Sequence, residues 1–191
     1  MHKGRLEAFS DGVIAILITI MVLELRPPHG AELDSLRPLT PVFLSYVLSF
    51  IYLGIYWNNH HHMLQVATGV SGPILWANLH LLFWLSMIPF VTAWMGEHHL
   101  AALPVALYGA VLCMCGAAYT LLARLLIRHD GPQSTLALAF GRDVKGLLSV
   151  VLYAAAIALA FVYPIISLLI YVSVALIWIV PDLRIERRLE T

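Results

Sequence analysis

The amino-acid sequence predicts an all-α membrane protein with six transmembrane helices in each subunit. Three observations predict this class: an apolar composition, six mostly apolar segments, and an unequal distribution of Lys and Arg along the chain. Of the 191 residues, 61% are hydrophobic and only 12% are charged, whereas a soluble domain carries roughly 25% charged residues. Because so few charged residues cannot cover a surface exposed to water, lipid must cover much of the surface of this protein.

The first four apolar segments have the length of membrane spans. A span needs roughly 20 mostly apolar residues to cross a hydrocarbon layer of about 30 Å. Arg26 and two prolines end the first segment, and the polar run 58–62 ends the second. A proline inside a helix removes a backbone hydrogen bond, so we expect a kink at Pro89 in the third. The predicted spans cover residues 6–25, 41–63, 74–94 and 103–127.

The last apolar segment, residues 144–180, is too long for a single crossing. As one helix it would extend about 55 Å, at a rise of about 1.5 Å per residue. Pro164 lies near its middle, so we predict a tight hairpin of two short spans, 144–162 and 164–180. The whole chain, residues 1–191, is predicted to form one domain without an internal repeat.

The positive charges predict the orientation in the membrane. With the N-terminus inside, the outer loops hold only Arg26 and Arg37. An excess of Lys and Arg marks the cytoplasmic side. We therefore expect a multi-pass protein of the cell membrane with both termini in the cytoplasm, which requires an even number of spans. The nine positive residues of the inner segments are Lys3, Arg5, Arg124, Arg128, Arg142, Lys145, Arg184, Arg187 and Arg188.

The charge balance and the cysteines predict neither a polyanionic partner nor a disulfide or metal-binding pair. Eleven Lys and Arg balance eleven Asp and Glu, which suggests no polyanionic partner such as a nucleic acid. Cys113 and Cys115 lie two residues apart in an apolar run, and that spacing places them on different faces of a helix. They are interpreted as small hydrophobic residues rather than as a disulfide or a metal-binding pair.

The first predicted helix has two different stripes along its length. Projected at about 100° per residue, each stripe falls within a sector of about 60°. Small residues on one face let another helix approach closely in a membrane. The branched stripe beside them could simply face lipid, which is the common case. The small stripe is Ala8, Gly12, Ala15 and Thr19, and the branched stripe is Phe9, Ile16, Ile20 and Leu23.

The same helix begins with a polar cluster formed by Arg5, Glu7, Ser10 and Asp11. A carboxylate near hydrocarbon is energetically costly and usually needs a partner or water. Acidic residues also suit the positive end of a helix dipole at the membrane interface. The residues alone leave both interpretations of Asp11 open.

The histidines do not form a recognisable metal motif. His60, His61 and His62 are consecutive, so on a helix they point in three directions and cannot all face one ion. We expect them to be solvated at a helix end, with a structural or gating role for His60 as the alternative. His80 lies inside the third span, where a hydrogen bond within the protein is expected and a proton-linked role is the alternative.

The first predicted helix also carries a longer motif. Residues 5–19 read RLEAFSDGVIAILIT and resemble the first-helix signature of the prokaryotic transmembrane protein 175 family, which are relatives of the lysosomal potassium channel. That signature is Arg-x-x-x-Phe-Ser-Asp followed by an apolar run with Ala-Ile and Thr. The run from Trp57 to His60 is similar to the family's Trp-x-x-His, and Asn78-Leu79 and Pro89 fit its third helix. The chain has the size of the family's short form.

The resemblance implies how an ion would pass. Family members have no re-entrant filter loop lined by carbonyl groups, and four short subunits surround an axis with the first helix of each lining the pore. Ile16, Ile20 and Leu23 would then form stacked apolar rings, with Ile16 the tightest, and Thr19 would offer hydroxyl oxygens beside them. The polar network near the pore entrance would comprise Arg5, Phe9, Ser10, Asp11, Trp57 and His60.

The resemblance therefore predicts a potassium-permeable channel that modestly prefers K⁺ to Na⁺. Its permeant ion would be K⁺ and it would need no cofactor or metal. The alternative is a secondary transporter or a proton-linked permease, for which paired broken helices or acidic residues near mid-membrane are expected. Asp11 and Glu24 lie instead at the two ends of the first span. No cluster of nucleophile, base and metal ligands indicates an enzyme.

Overall fold

The computed structural model describes residues 3–141 and 143–179, and these residues form an all-helical bundle. Helix α1 (Gly4–Ile20) continues into a 3₁₀ turn (Met21–Glu24), and a second 3₁₀ segment (Leu33–Leu39) leads into α2 (Thr40–Val66). The remaining helices are α3 (Gly72–Ser86), α4 (Ile88–Glu97), α5 (Ala102–Asp130), α6 (Thr135–Phe140), α7 (Val144–Leu159) and α8 (Pro164–Ile179). The predicted all-α class is confirmed.

Four helical stretches are long and apolar enough to cross a membrane, by length and composition. They are Gly4–Glu24, Leu33–Val66, Gly72–Glu97 and Ala102–Asp130. Helices α7 and α8 are apolar but have 16 residues each. At about 1.5 Å per residue such a helix measures about 24 Å, less than the hydrocarbon thickness of about 30 Å. The count of six spans therefore stays a prediction.

Two prolines divide the apolar segments where the sequence predicts a break. The third predicted span is two helices, α3 and α4, which meet at Met87, and Pro89 lies in the first turn of α4. The kink predicted at Pro89 is therefore confirmed, because proline has no N–H to continue the ladder of α3. Helix α8 begins at Pro164, after α7 has ended at Leu159. Residue 180, the last of the predicted spans, lies outside the described residues.

Buried tyrosines fill the middle of the subunit. The Tyr52 hydroxyl donates a hydrogen bond to the Tyr171 carbonyl at 2.6 Å, and the Tyr171 hydroxyl donates to the Val105 carbonyl at 3.1 Å. Gly109 is required here, because a Cβ atom at this position would collide with the Tyr171 hydroxyl. Buried polar groups need such partners in a low-dielectric interior. The contact between α2, α5 and α8 is thus packed with side chains.

One end of the bundle collects the start of α1 and the ends of α2 and α5. The Lys3 ammonium group donates to the Ala67 carbonyl at 2.9 Å, just beyond α2. The Thr68 backbone N–H and the Thr68 hydroxyl both donate to the Asp130 carboxylate, at 2.9 and 2.5 Å. Helices α1 and α3 therefore start at the same end and run in the same direction.

Candidate functional site

Helix α1 packs against the rest of the subunit through one face only. Its buried residues are Leu6, Ser10, Ile14 and Leu17, followed by Met21 in the 3₁₀ turn. These positions recur at the spacing of one side of a helix, and they face α2 and α3. The opposite side of α1 is covered by no other part of the described chain.

The uncovered side carries both stripes predicted from the sequence. The exposed fraction is 59% for Ile16, 40% for Ile20 and 74% for Leu23. Leu23 belongs to the 3₁₀ turn, so the α-helical projection is only approximate there. Thr19, in the small stripe beside the branched stripe, is exposed, and its hydroxyl donates to the Ile16 carbonyl at 2.9 Å. Its oxygen lone pairs therefore remain on the open side of the helix.

Three buried polar side chains join α1 to α2 and α3. The Asn78 amide donates to the Ser10 hydroxyl at 2.8 Å, and the Ser10 hydroxyl donates to the Leu6 carbonyl at 2.8 Å. The Asn78 carbonyl oxygen lies 2.7 Å from His60 Nε2. Because that oxygen can only accept, His60 carries a proton on Nε2. All three side chains have no exposed surface, so this network fixes where α1 sits.

A second polar layer lies at the edge of the first. The Trp57 indole N–H donates to the Asp11 carboxylate at 3.0 Å, which gives this acidic group the partner it needs near hydrocarbon. Trp57 also stacks on the His61 ring, with centroids 6.1 Å apart, and His61 Nδ1 lies 3.4 Å from the Glu7 carboxylate. Asp11 and Glu7 thus both tie the start of α1 to α2.

Two residues predicted for the network lie apart from it. Arg5 and Phe9 are exposed, on the side of α1 that faces away from α2 and α3. Among the described residues, Arg5 makes no hydrogen bond or ion pair. At about 100° per residue, both lie far round the helix from Ser10 and Asp11. Asn78 is instead the centre of the network. Lys3 also ties the start of α1 to the end of α2, because its ammonium group donates to the Leu64 and Ala67 carbonyls at 3.0 and 2.9 Å.

The sequence contained a signal for Asn78 that we did not use for the site. Asn78 is an amide within the otherwise apolar start of the third span, and such side chains usually hydrogen-bond across helices in membranes. His80 proves to be a different case, because it is exposed and accepts a hydrogen bond from the Trp84 indole at 2.9 Å. The predicted hydrogen bond of His80 exists, but it does not bury the ring.

No metal centre is evident in the part of the chain that the structure describes. No group of three or more His, Cys, Asp or Glu side chains there is arranged to hold a metal ion. His98 and His99 are exposed in the turn before α5. The arrangement around α1 presents an uncovered, mostly apolar helix face that is anchored by a polar start.

Replacing Trp57 with phenylalanine should weaken the attachment of α1 to α2 while keeping an aromatic ring at position 57. Phe keeps an aromatic surface against His61 but has no N–H for Asp11, so we expect the subunit to lose about 1 kcal/mol of stability. Denaturation of the detergent-solubilised protein measures this loss. Trp94→Phe is the matched control, because Trp94 contacts Phe90 and His98 at the other end of the bundle. Equal losses in both variants would contradict the anchoring role.

Comparisons with known proteins agree on one family. The profile of the family described as endosomal/lysosomal potassium channel TMEM175 matches residues 5–89. A potassium channel of Chryseobacterium sp. (strain P1-3) is 55% identical over 190 residues, which cover 100% of this chain and 99% of that protein. A potassium channel of Streptomyces collinus is 31% identical over 175 residues, 84% of each chain.

A solved structure has the same fold. The crystal structure of a lysosomal potassium-selective channel TMEM175 homolog from Chamaesiphon minutus superposes with a TM-score of 0.80. The sequence identity is 27%, and the match covers 94% of this chain and 97% of that one.

Proposed function

This chain belongs to the family of the endosomal/lysosomal potassium channel TMEM175, and from that membership we propose that it is a subunit of a potassium channel. It is a multi-pass membrane protein whose permeant ion is K⁺. We further propose that four copies surround a central axis and that α1 of each copy lines the pore. The proposal requires no cofactor beyond the permeant ion.

The observation that carries this proposal is the uncovered face of α1. Tyrosine side chains fill the middle of a single subunit, so an ion path between copies is the simpler arrangement. Ile16, Ile20 and Leu23 lie on the uncovered face, while the opposite face is held by the network of Ser10, Asn78 and His60. A helix that is fixed on one side and bare on the other is suited to line a shared pore.

The mechanism follows from the chemistry of that face. A ring of isoleucine side chains at Ile16 narrows the path and expels water, and a small rotation of the helices would widen and wet it. K⁺ loses its water shell at lower cost than Na⁺ does, so a narrow apolar ring favours K⁺ modestly. The polar layer that holds α1, including Trp57 and Asp11, would keep the pore helices in register.

The location of the charges supports the proposed orientation. Lys3 and Asp130 lie at one end of the bundle, joined through residues 67 and 68, so Arg124 and Arg128 of α5 lie near that end. Arg26 and Arg37 follow α1 at the other end. This supports a cytoplasmic N-terminus in the cell membrane. Arg142, Arg184, Arg187 and Arg188, which also entered the prediction, lie outside the described residues.

The test is the reversal potential of the purified protein in planar bilayers with K⁺ on one side and Na⁺ on the other. A stable current that reverses toward the K⁺ equilibrium potential is the expected result. Absence of current, with exchange of protons or Na⁺ in liposomes, would favour the secondary transporter instead. An empty bilayer and the heat-denatured protein serve as controls for leakage.

Thr19 offers a test of selectivity within the same measurement. In Thr19→Val the shape is kept and the hydroxyl is lost. Among the described residues, that hydroxyl is bonded only to its own helix, through the Ile16 carbonyl. We therefore expect nearly unchanged stability but a lower K⁺/Na⁺ permeability ratio, because oxygen lone pairs near the path are removed. A ratio equal to that of the wild type would place Thr19 away from the ion.

A further inference from the structure

Nothing among the described residues of its own subunit explains Gly12. A Cβ atom built at Gly12 meets nothing within 4 Å, yet glycine inside a helix costs about 1 kcal/mol relative to alanine. Ala8 and Ala15 lie on the same exposed stripe. Small residues in membrane helices allow the backbone of another helix to approach. The small-residue stripe is therefore suited to receive a helix that this subunit does not supply.

The exposed face of α3 has the opposite shape. Trp76 is 75% exposed and Phe83 is 56% exposed, and His80 lies between them on the same face. The His80 Nε2 atom accepts the Trp84 indole N–H, so the neutral ring carries its proton on Nδ1. A hydrogen-bond donor at this depth usually faces protein or water rather than lipid. We call Trp76, His80 and Phe83 the α3 ridge.

The depths of the stripe and the ridge match. The hydrogen bond between Ser10 and Asn78 sets these two residues at the same depth, and α1 and α3 run in the same direction. A residue of α1 and a residue of α3 therefore lie at the same depth when they are the same number of positions from Ser10 and Asn78, because both helices rise about 1.5 Å per residue. Ala8 is then level with Trp76, Gly12 with His80, and Ala15 with Phe83. Each small residue stands at the depth of a bulky one.

The positions around α1 determine which surfaces can meet. Ser10 faces α3, whereas Glu7 and Asp11 face α2. At about 100° per residue, the small-residue stripe lies next to the side of α1 that faces α2. The branched stripe, which contains Ile16, lies between the small-residue stripe and the side that faces α3. With the apolar stripe toward a central axis, each subunit presents its α3 to one neighbour and its small-residue stripe to the other. Rotation about the membrane normal preserves depth.

We propose that the α3 ridge of one copy packs into the small-residue stripe of α1 on the adjacent copy. The contact is heterologous, so repeating it about one axis normal to the membrane gives a closed ring, and it rests on the proposed arrangement around a shared pore. A hydrogen bond complements shape here, because the His80 donor comes level with the half-buried Asp11 of the adjacent copy. One oxygen of Asp11 is bonded to Trp57, which leaves the other to accept.

Cysteine pairs test this contact in the full chain. We would combine Ala15→Cys with Phe83→Cys on a background in which Cys113 and Cys115 are replaced by alanine. Mild oxidation in membranes should convert most of the monomer band into a ladder that ends at the closed ring. Ala15→Cys with Trp76→Cys is the control: both sites are exposed, but their depths differ by about 10 Å. That separation exceeds the Cα distance of about 7 Å that a disulfide permits.

A second variant guards against a cysteine pair that fails to oxidise. Gly12→Leu should leave the subunit folded, because the described part of its own chain leaves that space empty, but it should abolish the oligomer in mild detergent. An unchanged oligomer would overturn the proposal, as would equal cross-linking of the control pair or a ladder that stops at dimers. Potassium current measured on the wild type distinguishes a failure of the proposed channel function from a failure of the proposed contact between copies. A full ladder without current would contradict the channel, and current without a ladder would contradict the contact.

Discussion

Replacing Ile16 with asparagine is expected to raise the unitary conductance and to weaken the preference for K⁺ over Na⁺. Ile16 lies on the uncovered face of α1 with 59% of its surface exposed. In a ring of copies its apolar side chains would form the narrowest and driest point of the path. An amide at this position offers hydrogen bonds to water and to ions. A barrier lowered by about 1 kcal/mol corresponds to a rate increase of about fivefold.

Single-channel recordings in planar bilayers measure both quantities at once. Ile165→Asn is the matched control, because Ile165 is an equally apolar and exposed residue on α8, far from α1 in the chain. It should insert the same amide without altering conductance or reversal potential. Currents of Ile16→Asn that equal those of the wild type would remove Ile16 from the pore. Ile20 would then be the next residue to test.

Replacing Asn78 with alanine is expected to destabilise the subunit and to disturb channel opening together. The Asn78 side chain holds His60 at 2.7 Å and Ser10 at 2.8 Å in a fully buried position. Without it, the His60 Nε2 proton is left buried without an acceptor, which costs about 2 kcal/mol. The link between α1 and α3 is lost as well, so we expect the open probability to change.

Denaturation in detergent measures the loss of stability, and single-channel recordings measure the open probability. Ser86→Ala is the control on the same helix, because the Ser86 hydroxyl is exposed and, within the described part of the chain, bonds only to the Phe83 carbonyl. The double variant with Ser10→Ala should lose less than the sum of the two single losses, since both remove the same hydrogen bond. Full additivity would show that the two side chains act independently.

The sequence alone predicted the class of the protein and the two stripes of α1. Few charges and long apolar runs require lipid around the chain, and the structure confirms an all-helical protein with four long apolar helical stretches. The stripes of α1 were also predictable, because residue spacing determines which side chains share a helix face. The break at Pro89 follows from local chemistry, since proline has no N–H wherever it stands.

Only the tertiary structure decided what each face of α1 meets. Periodicity shows that Ser10 and Ile16 lie on different faces, but not which face the rest of the chain covers. That depends on residues such as Asn78, which is distant in sequence and comes into contact only when α3 packs beside α1. For the same reason Arg5 and Phe9 could not be separated from Asp11 in advance. Residue spacing within a helix determines which side chains share a face, whereas tertiary packing determines what that face contacts.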